Sequence, residues 1–234
     1  GIRDAQESRG LGDVYKRQIK VSLFALLILT TNVACIGVAR FASADGLLNL
    51  FIALSFFDMY RYWEARNKRV VYRVFLWISL GVLTKGPIAI LVPLVSGFIF
   101  FSLQKDLKLF LRAVFDPIGW VVLLLLVTPW YAAILLDQGQ AFIDGFLLKH
   151  NIGRFAETLE GHGGSIFYYV PIIFLLLLPF SGLFVPLFSR FSLKTMSSLD
   201  QYCYVTFGFV FIFFSLSSTQ LPHYLLYGFT PLII

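Results

Sequence analysis

Four stretches of this chain, 19–39, 118–136, 166–188 and 202–217, are apolar over close to 20 residues. That is the length of helix needed to cross the hydrocarbon of a bilayer. Shorter apolar runs occupy 47–60, 71–84 and 88–103, and another begins at Tyr224. Backbone N–H and C=O groups inside lipid must bond within their own segment, so each run is expected to be a helix. The fold class read from this pattern is all-α: a polytopic transmembrane helix bundle of about seven spans plus the start of an eighth. Composition agrees, because a chain of 234 residues that is 58% hydrophobic and 14% charged cannot hide its apolar side chains in one water-soluble core. The 26 Phe and 11 Tyr suit helices in a bilayer with aromatic residues near its surfaces. Cys35 and Cys203 lie in or beside apolar runs and suggest neither a disulfide framework nor a metal site.

Residues 1–18 are polar, without apolar periodicity, and end in Asp13-Val14-Tyr15-Lys16-Arg17-Gln18. They resemble a translated sequencing adapter and are expected to add nothing to the fold. The transmembrane domain is read as 19–234, a fragment truncated at both ends, since the last apolar run has only begun at Ile234.

The net charge of +6 is spread between apolar segments rather than gathered on one domain, so it points to topology and not to nucleic acid. If each run crosses once, 61–73, 104–116 and 189–200 share one side and hold ten Lys and Arg. The other side, 40–46, 84–87, 137–165 and 217–223, holds only Arg40, Lys85, Lys149 and Arg154. The positive-inside bias makes the first side cytoplasmic and the second external. Treating the runs around Thr84-Lys85-Gly86-Pro87 as one broken helix would scatter the basic loops over both sides, so they are read as two. In the long external loop, 142–150 has the apolar spacing of a helix lying at the membrane surface.

With that topology, Asp45, Lys85, His150, Arg154, His162, His223 and Tyr224 all fall at one face, and this clustering marks a candidate site. Asp45 could pair with Arg40 or orient a polar ligand; an ordinary helix N-terminal aspartate is the alternative. Lys85, ahead of Gly86-Pro87, would aim an ammonium at the headgroup zone, or simply snorkel there. His150 and Arg154 are four apart and share a helical face suited to a phosphate, unless Arg154 pairs with Glu157 or Glu160. Tyr224 is either an aromatic-belt residue or a hydroxyl donor to a phosphate oxygen. The three histidines lack zinc-motif spacing and read as loop residues.

Six motifs follow in order: Ala39-Arg40-Phe41-Ala42-Ser43-Ala44-Asp45, Leu83-Thr84-Lys85-Gly86-Pro87, Thr128-Pro129-Trp130-Tyr131, His150-Asn151-Ile152-Gly153-Arg154-Phe155, His162-Gly163-Gly164 before Tyr168-Tyr169, and Gln220-Leu221-Pro222-His223-Tyr224. From about residue 30 onward the chain resembles the bacterial dolichyl-phosphate-mannose protein mannosyltransferase-like family, which has the GT-C fold, and within it the aminoarabinose transferases of lipid A. The resemblance implies a membrane glycosyltransferase that moves a sugar, with inversion, from a polyprenyl-phosphate donor to a lipid A, protein or glycan acceptor on the periplasmic face. It implies Lys85, Arg154 and Tyr224 as ligands of the lipid phosphate and Asp45 as an active-site carboxylate. It also implies His150 at a position where some relatives hold a structural divalent metal, with no other cofactor. The family's main catalytic acid lies in an external loop absent from this chain, so the fragment is expected to be inactive alone.

A polytopic transporter is the alternative, since Gly-Pro breaks and intramembrane polar residues also mark substrate paths. It predicts charges near the midplane and internal symmetry, whereas these charges lie at one surface and no repeat occurs. A membrane scaffold gives no reason for cations to gather on the charge-poor side.

Overall fold

The computed structural model describes residues 19–41, 43–146, 153, 164–189 and 196–234, and the regular structure among them is all helical. The first apolar run is two helices, α1 (Ile19–Thr31) and α2 (Val33–Phe41), set at 54°. The break has a local cause. Asn32 is fully buried, and its amide donates to the carbonyls of Ile28 (3.0 Å) and Leu29 (2.8 Å) while its Oδ1 accepts from the Cys35 N–H (2.9 Å). A side chain that competes for backbone partners in this way bends a helix.

The centre of the molecule is three helices, α3 (Ala44–Ala65), α4 (Lys68–Lys85) and α5 (Ile88–Leu103). Arg66, in the left-handed region at φ 57°, ends α3, and the Asn67 side chain caps α4 by accepting from the Arg69 N–H. The two helices return on one another as an antiparallel pair. The expected separation of the next two runs is present: Gly86, at φ 87° and ψ −148°, turns the chain and Pro87 leads into α5. Only glycine enters that backbone region without strain. Gly81 lets α4 and α5 approach, since a Cβ there would stand 2.7 Å from the Cβ of Ala89.

After a short helix, α6 (Leu107–Val114), the Asp116 carboxylate accepts from the Ile118 and Gly119 N–H groups and starts α7 (Pro117–Gln138). Among the described residues α7 is the one unbroken helix long and apolar enough to cross a membrane; α1 and α2 pass the same test as a bent pair. Its Leu125 and Leu136, 70% and 89% exposed, give it an apolar outer face suited to lipid. The run 166–188, expected as one span, is instead α8 (Tyr169–Leu176) and α9 (Ser181–Ser189). Pro179 between them has no N–H to give and cannot continue a helix. A capping box of Ser197 and Asp200 opens α10 (Ser198–Ser215). The start of the expected eighth span is a 3-10 segment, Pro222–Gly228, followed by α11 (Phe229–Ile233). Its residues Tyr224 to Phe229 are buried against the bundle rather than turned to lipid.

Polar bonds gather the basic turns at one end. Arg66 reaches Asp106 (2.7 Å), Trp63 donates to the same carboxylate (3.0 Å), and Gln104 bonds Gln201 (2.8 Å), joining the ends of α3 and α5 to the start of α10. The Arg66 hydrogen bond holds the Asp106 carboxyl below the usual range. Deeper in this half, Asp58, 2% exposed, accepts two hydrogen bonds from Arg73, one from Trp77 (2.8 Å) and one from Arg61 (3.3 Å). A buried carboxylate survives only when paired in this way. Around it packs one apolar core, in which Tyr202 stacks on Phe56 at 4.3 Å. A second core, with Leu48, Val82, Phe207 and Phe214, fills the half toward Lys85.

Candidate active site

The antiparallel return of α4 on α3 sets the last turn of one beside the first turn of the other. Asp45, the second residue of α3, is 6% exposed there and receives a hydrogen bond and a charge from the Lys85 ammonium. The 3-10 segment brings a third group to the same place: the Tyr227 hydroxyl donates to Oδ1 of Asp45, the oxygen Lys85 also meets. Lys85 Nζ lies 3.3 Å from that hydroxyl, and Nε2 of His223 lies 3.7 Å from the other carboxylate oxygen. Asp45 therefore pairs with Lys85 and not, as one expectation had it, with Arg40.

Tyr224 also belongs to this cluster. Its ring sits under the Lys85 ammonium at 5.5 Å, packs on Phe214 at 4.7 Å and meets the edge of His223 at 4.9 Å. A cation over an aromatic face is held by the ring's quadrupole. Two tyrosines brace the surroundings from outside the cluster. Tyr131 on α7 donates to the Val82 carbonyl (3.2 Å), and Tyr169 on α8 donates to the Leu221 carbonyl (2.9 Å), fixing the chain just before the 3-10 segment.

Chemically, the arrangement is a cation locked in place. An ammonium has three donors; Asp45 and Tyr227 face two of them, and the side chain is still 27% exposed. The remaining donor can meet an anion from outside, with Asp45 and the Tyr224 ring preventing the side chain from swinging away.

Of the five residues that the resemblance implies at the site, the structure brings Asp45, Lys85 and Tyr224 together, with His223 of the external cluster beside them. His150 and Arg154 lie outside the described residues, as do His162 and the end of the expected surface helix, 147–150; the part described, 142–146, carries an aromatic group in which Phe142 and Phe146 stack at 5.2 Å. Tyr227 was missed, and His223 was counted in the external cluster but read as a loop histidine with no role at the site. No sequence signal marked Tyr227: the 3-10 geometry that sets it on one face with Tyr224 is seen only in the structure. Among the described residues no group of three His, Cys, Asp or Glu comes together that could hold a metal.

No protein-family model matches the chain. Among solved structures, it superposes on ArnT from Cupriavidus metallidurans bound to undecaprenyl phosphate, with a TM-score of 0.78 and 21% identity over 91% of this chain and 39% of that one. The chain has the ArnT fold. ArnT in the apo state superposes less closely, with a TM-score of 0.65 at 20% identity. Among curated proteins, the undecaprenyl phosphate-alpha-4-amino-4-deoxy-L-arabinose arabinosyl transferases of Yersinia pestis and Yersinia enterocolitica are 28% identical over 221 residues. Those matches cover 92% of this chain, which spans 39% of the length of these relatives. The resemblance carried by the six motifs is therefore the one found across nearly the whole chain, and the GT-C fold expected from it is the fold observed.

Proposed function

We propose that this chain is part of a glycosyltransferase that takes a sugar from a polyprenyl phosphate and passes it, with inversion, to lipid A or to a protein or glycan acceptor. The observation that carries the reading is the Lys85 ammonium, oriented by Asp45, Tyr227 and the Tyr224 ring, on a fold shared with a protein bound to undecaprenyl phosphate.

As the glycosidic bond breaks, negative charge builds on the departing phosphate oxygen, and a cation already in position stabilises it without reorganising. Lys85 supplies that charge. By resemblance, Arg154 supplies a second, with the fork geometry that suits a phosphate, and Tyr224 lines the same anion. Asp45 is the carboxylate that orients Lys85. The acceptor hydroxyl needs a base, which the resemblance assigns to an acidic residue of an external loop not represented in this chain. A divalent metal at His150 belongs to the same reading, and the charge stabilisation described here does not depend on it. The excess of Lys and Arg at the opposite end supports reading the Lys85 end as the periplasmic face of a multi-pass inner-membrane protein.

The test is sugar transfer in liposomes loaded with radiolabelled polyprenyl-phosphate sugars, comparing the full-length parent protein that contains this chain with its Lys85→Ala and Arg154→Ala variants. Transfer that collapses in both variants at equal expression is expected. No transfer from any donor, together with solute flux across the liposome, would replace this reading with a transporter.

A further inference from the structure

We propose that the cleft between α5 and α7, at the end opposite Lys85, binds an anionic phospholipid: one acyl chain enters the cleft and the phosphate rests on Lys108 and Arg112. The first observation is a cavity of about 150 Å³ walled by α3 to α7, with Val74, Phe75, Leu94, Phe110, Ala113 and Trp120 among its lining. A water molecule in a cavity needs two or more polar partners, and this lining is apolar almost throughout, so the space suits hydrocarbon. Leu94 and Trp120, 39% and 44% exposed, stand on α5 and α7 at its edge, where the bundle faces lipid.

The second observation is charge. The short helix α6 has Phe110, Ala113 and Val114 in the cavity wall, while Lys108 and Arg112, one turn apart, are exposed on another face. Leu111 and Phe115 beside them are also exposed, at 40% and 72%, as expected of a helix lying in the interface. At this end Arg66 is paired with Asp106, and Arg61 and Arg73 with Asp58. Lys108 and Arg112 make no ion pair among the described residues. Cations without an ion pair among the described residues, on the outer face of the helix whose inner face walls an apolar slot, complement a lipid with a phosphate head and a hydrocarbon tail better than a neutral lipid or a peptide. Trp120 is fixed at the same level by its indole N–H bond to the Val114 carbonyl (2.8 Å). Nothing in this site depends on the reaction at the Lys85 end.

Native mass spectrometry of the purified protein in mild detergent, titrated with phosphatidylglycerol or phosphatidylcholine, tests the assignment. Phosphatidylglycerol is expected to bind more tightly, with Lys108→Gln and Arg112→Gln each weakening it about fivefold and leaving phosphatidylcholine unchanged. Ala113→Phe, which fills the cavity, is expected to lower occupancy by both lipids. Should that variant fail to fold, the two exposed substitutions still decide. Equal binding of the two lipids, or equal loss of both in the Gln variants, would overturn the proposal. So would displacement of the lipid by inorganic phosphate alone, or a cross-link from Ala113→Cys to another segment of the protein, which would show the cleft already covered.

Discussion

Lys85 and Asp45 are 40 residues apart in sequence and share one ion pair at the meeting point of α4 and α3, with the lysine side chain 27% exposed and the aspartate 9%. That asymmetry gives the two residues different work: the carboxylate is committed to the protein interior, while the ammonium keeps a face toward whatever approaches from outside.

Removing one partner should therefore cost more than removing both. Lys85→Ala leaves a buried carboxylate with Tyr227 and a more distant His223. A double-mutant cycle of Lys85→Ala and Asp45→Ala is expected to give a coupling of about 2 kcal/mol, moderated by the partial exposure of the lysine. Thermal unfolding in detergent measures it. Additive effects of the two substitutions would contradict the pairing.

Tyr227→Phe removes a hydroxyl that donates to a buried carboxylate while leaving the ring in place. Hydrogen bonds to charged groups contribute about 1.5–3 kcal/mol, and a loss in that range is expected. Tyr224 acts on Lys85 through its ring, so Tyr224→Leu should weaken donor binding more than Tyr224→Phe does. Donor dissociation constants for the two variants separate a ring from a hydroxyl contribution.

Gly86→Ala places a Cβ on a residue at φ 87° and ψ −148°. The strain is expected to cost about 1–3 kcal/mol. Because Gly86 follows Lys85 directly, the turn cannot relax without moving the ammonium. Transfer should fall by more than the loss of folded protein explains, as judged by activity per folded molecule.

Arg73→Ala strips the buried Asp58 of two of its hydrogen bonds and leaves it to Trp77 and the 62%-exposed Arg61. A destabilisation of about 1–3 kcal/mol is expected, below the range for a fully buried pair because Arg73 itself is 49% exposed. Arg61→Ala should cost less than about 1 kcal/mol. Equal effects from the two arginines would contradict this division of roles.

Hydropathy and charge determined a large part of this protein by themselves. The apolar runs at 47–60, 71–84 and 88–103 are separate helices, the Gly86-Pro87 turn lies where its residue types demand it, and three basic segments were expected on one side of the bundle. These features are local, or follow from the cost of moving a charge through lipid, and so are written in residue type and spacing. The resemblance to the aminoarabinose transferases was legible for the same reason, in short motifs kept in order.

Tertiary structure alone decided which groups meet. Lipid surrounds the bundle, so an apolar residue is acceptable on any face of a helix, and the hydrophobic period that reveals the buried side in a soluble protein carries little information here. Nothing in the sequence distinguished Lys85 from Arg40 as the partner of Asp45, because that choice depends on the register of α3 against α4. Nothing announced that Tyr227 would reach back across 182 residues to the same carboxylate, since the 3-10 segment that aims it lies in a run that reads as the start of a plain span. The breaks at Asn32 and Pro179 belong partly to each level. Their residue types permit a bend, and only packing, in which the Val33 N–H donates to the Leu178 carbonyl at 3.1 Å, joins the two breaks into one contact.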